Sequence, residues 1–97
     1  MKSNLLTSYR VAVEYPDVSG FEILELLDMR SKLSGFEDCL TDSERETLEH
    51  ADERLFDNLK SFHEKIQEIG DLAELRQRAK VRPSHWWWYL DKFVAVQ

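Results

Sequence analysis

The three tryptophans of this chain stand side by side at Trp86, Trp87 and Trp88, inside the run Ser84-His85-Trp86-Trp87-Trp88-Tyr89-Leu90. No single helical face can bury three consecutive large rings. At about 100° per residue they fan across roughly 200° of a helix, whereas a core-facing stripe is only somewhat wider than about 100°. Each ring carries about 150–250 Å² of mostly apolar area, so leaving one or two in water would forgo several kcal/mol at about 25 cal/mol per Å². A second surface is therefore expected to cover at least one indole. It belongs to another part of the chain, a second copy, or a different protein.

The 97 residues make one domain, with one core of modest size. Hydrophobic residues at 42% and charged residues at 33% exclude wholesale disorder and fit a helical domain. The lone Cys39 has no internal disulfide partner, and Met1-Lys2-Ser3-Asn4 leads into no sustained apolar run. A cytoplasmic protein without a signal peptide or membrane span is expected. The net charge of −6 argues against direct nucleic-acid binding, which draws on phosphate neutralisation by Lys and Arg. Charge is also unevenly spread. Residues 14–57 hold fourteen acidic and four basic side chains, net −10, while residues 71–97 are net +2. Arg76, Arg78, Lys80 and Arg82 cluster just before the tryptophans. They either complement a helix end or form a basic flank suited to an acidic partner.

Residues 7–15 alternate, with Tyr9, Val11, Val13 and Tyr15 on one side and Ser8, Arg10, Ala12 and Glu14 on the other. That pattern predicts a β-strand closed by Pro16. No second strand follows, so its ladder would have to pair with a second copy or with the sheet edge of another protein. Ser19-Gly20-Phe21-Glu22 and Thr41-Asp42-Ser43-Glu44 are both capping boxes. The first opens a helix over 20–34 that stops at Gly35. The second opens one long helix over 42–69, on which Leu48, Ala51, Leu55, Leu59, Phe62, Ile66 and Ile69 form a continuous seam. Asp71 caps a short helix over 72–80, and Ser84 caps a final one over 84–95. On that last helix Trp86, Tyr89, Leu90 and Phe93 share the core stripe, and Trp88 falls toward the polar side. The fold class expected is mainly α: one N-terminal strand followed by three to four helices, one of them long and central, in a single domain over 1–97.

Chemistry-bearing residues are sparse. His50 lies between Glu46 and Glu53 on one helical face, a grouping that a Glu-rich solvated surface produces by chance, and Cys39 sits beside acidic residues that keep a thiol protonated. There is no Gly-rich phosphate loop and no nucleophile elbow. No catalytic, cofactor-binding or metal-binding residue is assigned, and the chain is not expected to be an enzyme.

Two resemblances bear on function. Asp71-Leu72-Ala73-Glu74-Leu75-Arg76 followed by Pro83-Ser84-His85-Trp86-Trp87-Trp88-Tyr89-Leu90-Asp91 resembles the ending of a group of short, uncharacterised bacterial proteins, over about a quarter of the chain. A strand followed by helices also resembles small antitoxins, including the ribbon-helix-helix type. This chain departs from that type in its acidic charge, its long helix and its strand's single basic residue, Arg10, which argues against DNA reading. The strand and the tryptophan segment as two handles, with the net −10 region, point to a partner-binding protein of the antitoxin or inhibitor kind, the alternative being a structural subunit or assembly factor of a larger complex. Its partner is another protein, a second copy, or both. The expected partner-binding residues are Tyr9, Val11 and Val13 of the strand, Trp87 and Trp88 of the aromatic segment, and Arg76, Arg78 and Arg82 of the basic flank.

Overall fold

A computed structural model describes residues 2–94, and their regular structure is entirely helical. The expected strand is absent among these residues. In its place α1 spans Lys2–Ala12. The side chains show why the alternating pattern misled. Tyr9 and Val13 are fully buried, which suits a period of two as well as a helix because they stand four apart. Val11 is 43% exposed and Tyr15 65% exposed, whereas a strand would have hidden both beside Tyr9. Buried Leu6 completes a helical stripe at spacings of three and four. A helix satisfies its own backbone donors and acceptors, while a lone strand leaves a row of them unpaired.

Both capping boxes form as the sequence predicts. Ser19 Oγ accepts from the Glu22 amide at 3.2 Å, and the Ser19 amide donates to Glu22 Oε2 at 3.0 Å. This opens α2, Gly20–Ser34, whose Ile23, Leu26, Leu27, Arg30 and Leu33 are buried. The start of α2 lies directly on the backbone at Lys65: a Cβ on Gly20 would collide with the Lys65 carbonyl oxygen. A 3₁₀ turn, Glu37–Cys39, and buried Leu40 lead to the second box. There Thr41 Oγ1 accepts from the Glu44 amide at 3.1 Å and the Thr41 amide donates to Glu44 Oε1 at 2.9 Å.

The expected helix over 42–69 is two helices, α3 at Asp42–Asp57 and α4 at Leu59–Gln67, interrupted at Asn58. Asn58 turns its side-chain amide onto the Val13 carbonyl at the end of α1, 2.8 Å away, and its backbone leaves helical geometry at φ −98°, ψ 14°. A straight 28-residue helix would be about 42 Å long, whereas the Cα extents of the folded chain are 36 × 26 × 24 Å. The apolar seam survives the break. Leu48, Ala51, Leu55, Leu59, Phe62 and Ile66 are all buried, with α3 facing α1 and α4 facing α2 and the C-terminal helix.

Asp71 Oδ1 accepts from the Ala73 amide at 3.2 Å to cap α5, Leu72–Ala79, which ends on Lys80 in the left-handed region at φ 54°, ψ 46°. The single final helix expected over 84–95 does not form. Trp86–Trp88 make a 3₁₀ turn, and only Leu90–Val94 form a helix, α6; position 95 lies outside the described residues. Leu90 is fully buried. A 3₁₀ turn spreads consecutive side chains about 120° apart, so three indoles can be covered only where protein lies on several sides.

Candidate functional site

Ser31, in the last turn of α2, is the point at which the aromatic segment docks. Trp87 Nε1 donates to Ser31 Oγ at 2.9 Å and Trp88 Nε1 donates to the same oxygen at 3.0 Å. His85 Nδ1 lies 3.2 Å from that oxygen, and the imidazole stacks on Trp87 with ring centres 4.6 Å apart. An indole N–H only donates, and a hydroxyl has two acceptor lone pairs and one proton. The two indoles therefore use both lone pairs of Ser31, and its proton is directed at His85 Nδ1. This requires His85 in the neutral tautomer with the proton on Nε2. Burial lowers the His85 pKa, and the charges of Arg82 and Arg30 lower it further against the opposing pull of Glu37.

Beneath the indoles lies a buried ionic group. Arg30 is 4% exposed; its Nε and Nη2 donate to the two oxygens of Asp52 at 2.9 and 3.0 Å, and Nη2 also donates to Glu37 at 3.0 Å. The guanidinium carbon sits 4.1 Å from the ring centre of Trp87. Nη1 has no hydrogen-bond partner, so the π-face of Trp87 is part of what offsets its loss of water. Tyr9 donates its hydroxyl to Asp52 at 2.6 Å. Burial and then the Asp52 carboxylate push the Tyr9 hydroxyl far above its ordinary range, keeping it a donor. Burial disfavours the Arg30 cation, and the Asp52 hydrogen bond and charge outweigh it.

A second clamp holds the segment from the other side. Arg76 Nη1 donates to the Trp88 carbonyl at 2.9 Å and to Asp91 at 2.8 Å, with its guanidinium 4.2 Å from the Tyr89 ring centre. Burial raises the Asp91 carboxyl, but the Arg76 hydrogen bond and charge prevail and hold it below its ordinary value.

These contacts correct the assignment of the indoles. Trp88, expected to face a partner, is buried at 6% exposure, and Trp87 is buried at 3%. Trp86, expected in the core, is only half-buried. Its ring packs against Phe56 at 5.9 Å and Phe93 at 6.2 Å, and Phe56 meets Phe93 edge-on at 5.1 Å. Phe56 is 40% exposed and Trp86 and Phe93 are partly buried, so this trio is a cluster of touching rings that meets the surface at Phe56, while Tyr15 and Phe21 stand out separately at 65%. Of the three strand residues assigned to partner binding, Tyr9 and Val13 belong to the core and Val11 is exposed. Within the basic flank, Arg76 is 11% exposed and engaged internally, Arg78 is exposed and paired with Glu74 at 2.6 Å, and Arg82 is exposed at the rim of a cleft. That cleft, about 210 Å³, is lined by Asp28, Ser31, Lys80, His85 and Trp88 among others.

Ser31, Arg30, Asp52, Asp91 and Phe56 were not singled out from sequence. For Arg30 a signal was available: it falls on the buried stripe of α2 at the spacing set by Ile23, Leu26, Leu27 and Leu33, and a charge there requires a counter-charge. His50 lies 3.8 Å from Glu46 and 3.9 Å from Glu53 on an exposed face, and the described residues contain no group of three suited to hold a metal ion. Although Ser31 and His85 resemble a nucleophile and its base, both lone pairs of the hydroxyl are held by indoles. The arrangement as it stands docks a segment. No helix among the described residues is long and apolar enough to cross a membrane. No family model matches the chain, and neither a curated protein nor a solved structure matches it.

Proposed function

We propose that this chain is a small, non-catalytic protein–protein interaction module of the antitoxin or inhibitor kind, acting in the cytoplasm. The observation that carries the reading is the aromatic trio of Phe56, Trp86 and Phe93, three rings in mutual contact with Phe56 40% exposed. Aromatic rings grouped at a surface are the residue type that anchors interfaces. Charged side chains flank Phe56 in sequence at Arg54 and Asp57, both exposed, in keeping with a polar rim. The acidic run over residues 14–57, net −10, favours a basic target and would speed its encounter.

Co-expression with the product of each adjacent gene tests this. Rescue of growth from a toxic neighbour, together with a complex weakened at least tenfold by Phe56→Ser, is the expected result. A stable complex with a non-toxic neighbour would place the chain as a structural subunit instead. Absence of any complex, or one indifferent to Phe56→Ser, overturns the aromatic-anchor reading.

A further inference from the structure

Among the contacts that dock the aromatic segment, one is a hydroxyl whose hydrogen-bonding capacity is fully used. Two indole N–H groups reach Ser31 Oγ at 2.9 and 3.0 Å, and the remaining contact at 3.2 Å is to His85 Nδ1, which must accept. We infer that Ser31 and His85 form a pH-sensitive latch: protonation of His85 at Nδ1 forces Ser31 to release an indole and loosens the segment around Trp87 and Trp88 from α2.

The proton balance is simple. A proton from water enters Nδ1, the only ring nitrogen without one, and becomes a third donor directed at an oxygen with two lone pairs. One donor must leave. The indoles are the movable partners, because they stand on a 3₁₀ turn with short hydrogen-bonded runs, whereas Ser31 is fixed inside α2. The charged groups around His85 push the same way. Arg30 from α2 and Arg82 from the preceding loop are cationic, and Lys80 at the end of α5 lines the same cleft. Against them stand Glu37 of the first 3₁₀ turn and Asp28 of α2; Glu37 is already bonded to Arg30 and Asp28 is paired with Lys32 at 3.3 Å. An imidazolium would also stack against Trp87, whose π system Arg30 already engages 4.1 Å from its ring centre. An unperturbed histidine changes charge near pH 6.5, and burial together with the nearby cations moves the release to the acid side of that value.

All three tryptophans lie in the segment, so the chain carries its own reporter. The full chain and its His85→Asn variant are titrated from about pH 8 to about pH 5. Tryptophan emission maximum, the ¹⁵N–¹H resonances of the indoles, the His85 ring resonances and far-ultraviolet circular dichroism are followed together. The amide side chain of the variant retains an acceptor oxygen but gains no proton. In the wild type the emission maximum moves to longer wavelength and an indole resonance loses its hydrogen-bonded shift, in step with the His85 ring. In His85→Asn neither changes. Indoles that stay unmoved through the His85 titration overturn the latch, as does an unaltered transition in a folded His85→Asn. If the variant does not fold, the wild-type spectra decide alone: co-titration of ring and indole supports the latch, and independent titration overturns it.

Discussion

Single residues in this chain differ sharply in what their neighbours demand of them. Trp87 and Trp88 are both buried and both bonded to Ser31, whereas Trp86 leans on Phe56 and Phe93 at the surface. Truncating Trp87 or Trp88 to Ala is expected to lose about 3–5 kcal/mol of folding stability, and Trp86→Ala less, as read from urea denaturation. Comparable losses at all three positions would contradict the assignment. Lys80 is the one non-glycine residue with a positive φ among those described. Its Cβ crowds the backbone in that conformation, so Lys80→Gly should stabilise by about 1 kcal/mol, seen as a higher urea midpoint. An unchanged or lower midpoint would show that the Lys80 side chain contributes more than its backbone strain removes.

At the level of elements, α1 is the part of the chain where two periodicities compete. Tyr9 and Val13 satisfy both, and the decision falls to Leu6 and Val11: one buried out of the alternating phase, the other exposed within it. A proline inside a helix removes a backbone donor and clashes with the preceding turn, costing about 3 kcal/mol. Val11→Pro is therefore expected to lower helical signal and urea stability, although its side chain is 43% exposed. A variant as stable as the wild type would show that the last turn of α1 contributes little to the fold. The break at Asn58 has a different origin. Its seam residues predict one unbroken helix, and only the arrival of the Val13 carbonyl at 2.8 Å gives the Asn58 amide a reason to interrupt it.

For the whole molecule, the C-terminal segment is held by titratable groups at both ends, so acid is expected to undo it in two stages. The folded pKa of His85 lies below its ordinary value of 6.5, so below that pH the unfolded chain binds more protons than the folded one. Stability is full above about pH 6.5 and declines as the pH falls toward the folded value. Asp91, also held below its ordinary value of 3.8, adds a second loss as the pH falls from there through its folded pKa. Urea denaturation across pH checks both. His85→Asn should abolish the first decline and Asp91→Asn the second, and a first decline that persists without His85 would assign it elsewhere.

Local chemistry was enough to place the two capping boxes, the cap at Asp71 and the apolar seam from Leu48 to Ile66, because each depends on residues within four positions of one another. The same reasoning established that three adjacent indoles need more than one wall. Which walls, the sequence could not say. Ser31 and Trp87 are 56 positions apart, Asp52 and Arg30 are 22 apart, and Asn58 meets Val13 across 45. Pairings over such distances leave no periodicity along the chain. They form only once α2 and the seam have been packed together, and that packing decided which aromatic rings were covered and which reached the surface.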